Sequence, residues 1–158
     1  MKTIKFENQT ITPSKIVCVG RNYVEHIKEL NNEIPENMVL FNKPNSAISE
    51  EFYYFNEYTR FEGEICFLIQ NKKIAGIGFG FDLTKKDIQE YLKQKGLPWE
   101  RTKAFNNSAV FSEFVKFQGD IIMSGTPKGV SFYKKDDKFK AEIYIENKLI
   151  IQKEWKVI

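Results

Sequence analysis

The 158-residue chain has few of the residues on which several common kinds of site depend. It contains one histidine and two cysteines, too few for a disulfide framework or for a zinc site built from clustered cysteine and histidine ligands. The opening residues, MKTIKFENQT, contain no long apolar stretch, so we expect neither a signal peptide nor a membrane span. These absences predict a cytoplasmic protein with reduced cysteines.

An excess of one charge is also missing, since the formal net charge is only +3. The lysines are scattered among acidic residues and form no basic stripe with interleaved aromatics, so we expect no nucleic-acid partner. The glycines match neither the dinucleotide-binding fingerprint nor a phosphate-binding P-loop. A mildly positive protein of this kind favours a small anionic ligand over a cationic one.

The chain does contain a sizeable apolar fraction, 42%, with 15% aromatic residues, which favours one folded domain over residues 1–158 that is rich in strands. Hydrophobic spacing predicts helices over residues 22–30 and 84–95, the second with a capping box that starts at Thr84. The last residues alternate and reverse near 146–147, which predicts a hairpin.

The segment FEGEICFLIQ, residues 61–70, carries two acidic residues in an otherwise apolar strand. Side chains alternate along a strand, so Glu62 and Glu64 share one face. Like charges on one face of a covered strand repel each other and lose hydration, unless a divalent cation compensates them. The alternative is a strand end open to water, where both carboxylates are simply solvated.

The next strand, IAGIGFGFDLT, places three glycines and Asp82 on one face and large apolar side chains on the other. We expect the glycine face to be bare, so that something can lie close to the backbone beside Asp82.

Six segments of the sequence together resemble the fumarylacetoacetate hydrolase family, and in particular its short acylpyruvate hydrolase and oxaloacetate decarboxylase branch. They follow in the family's order: GRNYVEHIKEL, LFNKP, FEGEICFLI, FDLTKKDIQ, KGLPWERTKAF and GDIIMSGTPKGV. The resemblance implies an α+β, mostly β fold, a mixed β-roll or sandwich of the family's C-terminal-domain type with two helices. It also implies a homodimer.

The same resemblance implies a role for ten residues. One Mg²⁺ or Mn²⁺ would be bound by the carboxylates of Glu62, Glu64 and Asp82. Catalysis would fall to the pair His26 and Glu29 and to Lys103, and the substrate acid would be surrounded by Arg21, Lys43, Gln89 and Thr126. Without the resemblance, each of these would be read as a surface, packing or turn residue.

These residues imply the cleavage of a carbon–carbon bond in a small 2-oxo acid through an enolate held on the metal. The two reactions are acylpyruvate hydrolysis, with His26 as general base, and oxaloacetate decarboxylation, which needs only the metal and a proton source. One alternative is an isomerase of a 2-hydroxy-dienoate or 2-oxo acid. The other is a non-catalytic descendant that serves as a binding or structural module.

The chain departs from the family pattern by being short in two places. Residues are missing between the strands EICFLI and GIGFGFD, and a longer stretch is missing where FVKFQGD runs straight through. Missing strands would open the roll or expose a sheet edge. We therefore expect a truncated form of the fold, in which substrate enclosure is affected more than metal binding.

Overall fold

The computed structural model describes residues 1–20, 36–116 and 131–158. In these residues the strands are β1 (Ile4–Phe6), β2 (Gln9–Ile11), β3 (Lys15–Gly20), β4 (Val39–Pro44), β5 (Ile48–Ser49), β6 (Thr59–Gln70), β7 (Lys73–Lys85), β8 (Ala109–Phe111), β9 (Val115–Lys116), β10 (Ser131–Phe132), β11 (Lys138–Ile145) and β12 (Lys148–Lys156). The helices are α1 (Lys86–Gln94), α2 (Glu100–Lys103) and a 3₁₀ turn at Asn45–Ala47. The helix predicted over residues 22–30 lies outside the described residues.

The centre of the fold is the long antiparallel hairpin of β6 and β7. Its turn holds Asn71 and Lys72 at φ values of 50° and 61°, the left-handed pair that suits the twist of a two-residue hairpin turn. Around it the sheet runs in the order β10–β6–β7–β8–β5, with β9 beside β7 and only β5 and β8 parallel. Both predicted strands are confirmed, and the sheet is mixed, as expected.

One face of the central hairpin packs against the hairpin of β11 and β12. The contact is an aromatic cluster in which Phe52, Phe81 and Trp155 are at most 5% exposed. The covering hairpin reverses through Glu146 and Asn147, which have φ values of 48° and 63°. The prediction of a terminal hairpin with its reversal at these residues is confirmed.

The glycine face of β7 has no side chains of its own, and other groups lie close to its backbone as expected, but they belong to the protein's own core. Rings from the N-terminal hairpin and from the β8–β9 region lie against it, and a Cβ added at Gly78 would meet the Phe114 ring at 2.9 Å. At Gly80 it would meet the Phe111 ring and the Cys66 sulfur. The missing side chains leave room for the protein's own core, and only the Asp82 end of the strand is available for a site.

The helices follow β7 and lie beside the same end of the hairpin. The capping box predicted at Thr84 is wrong, because Thr84 is a buried residue of β7, paired with Arg60, and α1 begins two residues later. Gly96, at a φ of 64°, follows the helix end as predicted. The short helix α2 was not predicted.

The described residues thus form a mostly β fold of the α+β class. Both cysteines are free thiols. Within the parts of the chain that the structure describes, no helix has the length and apolar character needed to span a bilayer.

The packing on the glycine face is tested by a matched pair of substitutions. Gly78→Ala forces a methyl group into the Phe114 ring and should lower the free energy of unfolding by about 1–3 kcal/mol, as overpacking does. At Gly20 the nearest atoms of the described residues lie 3.5 Å from the added methyl, so Gly20→Ala should leave stability unchanged or raise it by up to ~1 kcal/mol. Urea unfolding measures both, and equal effects would contradict the close packing.

Candidate metal centre

Three carboxylates meet at the open end of the central hairpin. Glu62 lies directly opposite Asp82 in the strand register, and Glu64 follows two residues later opposite Gly80. One oxygen of each carboxylate lies within 4.8 Å of the others. Glu62 and Glu64 are half-buried and Asp82 is 5% exposed, so the three are not simply a solvated strand end.

Lys103 reaches this cluster from the last residue of α2. Its Nζ lies 2.5 Å from Asp82 Oδ2 and 3.5 Å from Glu62 Oε1. The helix is fastened to the end of β7 by the buried Thr102, whose Oγ1 donates a hydrogen bond to the Lys85 carbonyl at 2.6 Å. A four-residue helix is thereby held where its final side chain bridges two of the three acids.

Lys43, in β4, contacts the other oxygen of the same aspartate. Its Nζ forms an ion pair with Asp82 Oδ1 at 2.8 Å, and the side chain is only 1% exposed. The ammonium also donates hydrogen bonds to the Leu83 carbonyl and to both the carbonyl and the hydroxyl of Ser108. Asp82 is consequently held between two buried cations.

The surroundings of the cluster shift the pKa values of Asp82 and Glu64 in opposite directions. Burial would raise the pKa of Asp82, but the ammonium groups of Lys103 and Lys43 outweigh it and hold that pKa below its usual value. Burial raises the pKa of Glu64 to about 8, with the neighbouring Asp82 and Glu62 adding to the effect. Asp82 is therefore ionised, whereas Glu64 keeps a proton at neutral pH unless further positive charge is present.

Burial tends to lower the pKa of both lysines, but the net change differs in sign between them. It lowers the pKa of Lys43 in spite of the nearby Asp82 carboxylate. For Lys103 burial has the same tendency, but Asp82 and Glu62 together outweigh it and hold that pKa above its usual value. The ammonium that bridges the acids is thus a firmly protonated N–H donor.

The donor set fits a hard divalent cation. It consists of three carboxylates whose ligand oxygens converge, which is the ligand type that Mg²⁺ and Mn²⁺ prefer. Asp82 Oδ1 is buried and, among the described residues, accepts no hydrogen bond of good geometry, so its ion pair with Lys43 leaves a lone pair for a cation. Positive charge at this point would also compensate Glu64.

Of the other predicted site residues, the structure describes only Gln89. Gln89 is 9% exposed on α1, and its amide oxygen accepts a hydrogen bond from Lys86 at 3.2 Å. Arg21, His26, Glu29 and Thr126 lie outside the described residues, so their assigned roles stay predictions.

Sequence reasoning missed Ser108, which is fully buried and contacts Lys43, because a serine in the polar run FNNS gives no sign of burial.

Two relatives align with different shares of this chain. Oxaloacetate tautomerase YcgM of Escherichia coli (strain K12) is 40% identical over 126 residues, which are 68% of this chain but only 58% of that protein. The mitochondrial oxaloacetate tautomerase FAHD1 of Bos taurus is 29% identical over 191 positions, covering 82% of this chain and 86% of the relative. Since 191 positions exceed the 158 residues present, the bovine protein has internal residues that this chain lacks.

Solved structures give the same picture. A fumarylacetoacetate isomerase/hydrolase-type protein from Oleispira antarctica superposes with a TM-score of 0.90 and 28% identity, covering 100% of each chain. Fumarylpyruvate hydrolase from Pseudomonas aeruginosa, in complex with Mn²⁺ and pyruvate, superposes with a TM-score of 0.66 and 25% identity. That match covers 73% of this chain and 59% of the hydrolase.

A family model decides the assignment. The fumarylacetoacetate hydrolase C-terminal domain matches residues 15–118, well over half of the chain and including all three converging carboxylates. The match also includes Lys43 and Lys103.

Because this family model covers well over half of the chain, the resemblance seen in the sequence motifs is confirmed, and the chain belongs to the fumarylacetoacetate hydrolase family.

Proposed function

We propose that this protein is a divalent-cation-dependent enzyme that acts on a small 2-oxo acid through its enolate. The observation that carries the proposal is the convergence of Glu62, Glu64 and Asp82 around the ammonium of Lys103. The names of its relatives support it, since they describe oxaloacetate tautomerases and a fumarylpyruvate hydrolase. When bound, the cation would supply a Lewis acid that stabilises negative charge on a substrate oxygen.

The balance of charge suits an anionic substrate. Three carboxylates and two ammonium groups give the cluster a net charge of −1 when all five are ionised. A divalent cation reverses this to a single positive charge, which attracts a small carboxylate. Low solvent access to Asp82 and both lysines strengthens that attraction, because charges interact more strongly away from bulk water.

Lys103 is the described side chain best placed to act on the enolate. Its ammonium lies at the metal ligands and can donate an N–H to a developing oxyanion or return a proton to carbon. By family resemblance, His26 oriented by Glu29 would serve as the base. Gln89, together with Arg21 and Thr126, would contact the substrate acid.

Three reactions share this enolate, and they make different demands on the chain. Keto–enol tautomerisation moves one proton from carbon to oxygen. Decarboxylation loses carbon dioxide and adds a proton to the same carbon. Hydrolysis also requires a water activated by His26, with the carbon–carbon bond breaking as the enolate leaves. Since both tautomerase relatives align over more than two thirds of this chain, we propose oxaloacetate as the first substrate to test.

A second candidate is a non-catalytic module that keeps the metal centre. It is favoured by the internal residues that the bovine relative has and this chain lacks, since shorter connections would enclose a substrate less well. The identity of the cation, Mg²⁺ or Mn²⁺, stays a prediction. So do a homodimer, a cytoplasmic location and a single domain over residues 1–158.

Metal binding is tested by titration calorimetry with Mn²⁺ and Mg²⁺. The wild type should show one site, and Glu62→Gln should weaken it by more than the ~10–100-fold that loss of an outer-shell partner causes. Glu90→Gln is the matched control, because the Glu90 side chain is 62% exposed on α1 and its pair with Lys86, at 3.8 Å, lies at the surface. Equal affinity in the wild type and Glu62→Gln would contradict the assignment.

Glu64 gives a prediction for the cation-free protein. Its folded-state pKa of about 8 lies above the ordinary 4.5, so the unfolded chain loses this proton first and stability falls as pH rises between these values. Glu64→Gln removes that loss, so the variant should melt higher than the wild type at pH 8. The gain should be at least ~3 °C, the shift that about 1 kcal/mol gives in a domain of this size.

The pH dependence separates this effect from a general gain in stability. The difference in melting temperature between Glu64→Gln and wild type should be much smaller at pH 5 than at pH 8. Glu90→Gln should show no such dependence. A pH-independent difference for Glu64→Gln would mean that its burial is not the cause.

The reactions are separated by one set of assays with Mg²⁺ present. Decay of enol absorbance measures oxaloacetate tautomerisation, pyruvate release measures decarboxylation, and fumarylpyruvate tests hydrolysis. His26→Ala should lower hydrolysis by about 10²–10⁴-fold, the usual contribution of a general base, and decarboxylation much less. Wild-type protein that binds Mn²⁺ but turns over none of these substrates would favour the non-catalytic module.

A further inference from the structure

The ammonium of Lys43 is enclosed by oxygens from separate segments of the chain. It donates to the Leu83 carbonyl of β7 at 3.1 Å and to the Lys103 carbonyl at the end of α2 at 2.5 Å. It also donates to the carbonyl of Ser108 at 3.1 Å and to its hydroxyl at 2.9 Å, just before β8. Its ion pair with Asp82 Oδ1 completes the enclosure at 2.8 Å.

This arrangement leaves Lys43 no donor for a substrate. An ammonium has three N–H bonds, and here four hydrogen-bonding oxygens and a carboxylate share them. The side chain is 1% exposed, so a bound acid cannot reach it without breaking contacts. Breaking them would separate a buried ammonium from the carbonyls and the carboxylate that enclose it.

We propose that Lys43 is a positioning residue, which orients the metal ligand Asp82 and the catalytic Lys103 without touching the substrate. The geometry forms a closed loop. The Lys43 ammonium binds the Lys103 backbone carbonyl, and the Lys103 ammonium binds the same Asp82 carboxylate that Lys43 pairs with. The orientation of Asp82 and the position of Lys103 are thus coupled through one buried side chain.

Ser108 reinforces the loop. Its hydroxyl accepts from Lys43 and donates to the Lys103 carbonyl, both at 2.9 Å. It therefore offers a way to loosen the arrangement while every charge stays in place. This inference rests on the proposed cation site. It concerns how the chain positions the residues of that site, and it is tested by Mn²⁺ affinity as well as by turnover.

The test is Mn²⁺ titration of the full chain in Lys43→Met, Ser108→Ala and Lys85→Met. Lys85 is the matched control, because its Nζ lies 4.5 Å from the same Phe105 ring that Lys43 contacts at 5.5 Å. Lys43→Met should weaken Mn²⁺ binding about 10–100-fold, as loss of an outer-shell partner does. Ser108→Ala should weaken it in the same direction but less, and Lys85→Met should match the wild type.

The sign of the change distinguishes the possible roles. If Lys43 acted only as a charge, its removal would relieve repulsion and Mn²⁺ would bind more tightly. If it contacted substrate, Mn²⁺ affinity would stay at the wild-type value and KM for oxaloacetate would rise with kcat unchanged. The positioning role instead predicts a lower kcat, because both Asp82 and Lys103 are displaced. Either of the first two results would overturn it.

The remaining outcomes are also decisive. If Lys43→Met fails to fold, Ser108→Ala decides, and wild-type Mn²⁺ affinity and kcat in that variant would overturn the proposal. Unchanged affinity in all variants, with a wild type that binds one Mn²⁺, would overturn the positioning role alone. A wild type that binds no Mn²⁺ would overturn the metal centre and this role together.

Discussion

The site depends on one buried carboxylate held between two ammonium groups. Asp82 stands opposite Glu62 in the strand register, an arrangement of like charges that would destabilise the hairpin on its own. Lys103 and Lys43 compensate it from two different elements, α2 and β4. Removing either partner from such a buried group leaves charge uncompensated, which costs far more than a surface ion pair contributes. The positions of α2 and β4 are therefore tied to the chemistry of a single strand end.

The sequence predicts the parts of this arrangement that depend on periodicity. Alternation places Glu62 and Glu64 on one face and brings Asp82 to the matching face of the next strand, and the structure agrees. Hairpin turns were also predictable, because their reversals fall at short polar segments. The motifs then identified the family, since six weak patterns in a fixed order are far more specific than any one of them.

What the sequence could not predict depends on tertiary contact. The glycines of β7 signal close approach, but only the fold shows that the approaching groups are Phe111 and Phe114. Thr84 has the spacing of a helix cap, yet strand pairing with Arg60 keeps it in β7. The burial of Lys43 is equally invisible, because a lysine in the polar run NKPNS has the local appearance of a solvated charge. Such cases arise wherever distant segments decide the surroundings of a residue.

The oxygens around Lys43 are also remote from it along the chain. The Leu83, Lys103 and Ser108 carbonyls lie 40, 60 and 65 residues away. Closing loops of that length costs chain entropy, which the contacts around the ammonium must compensate. The β6–β7 hairpin can bring the three acids together by itself. Their counterions come from β4 and α2, so any local opening of these elements would leave the acids of the hairpin uncompensated.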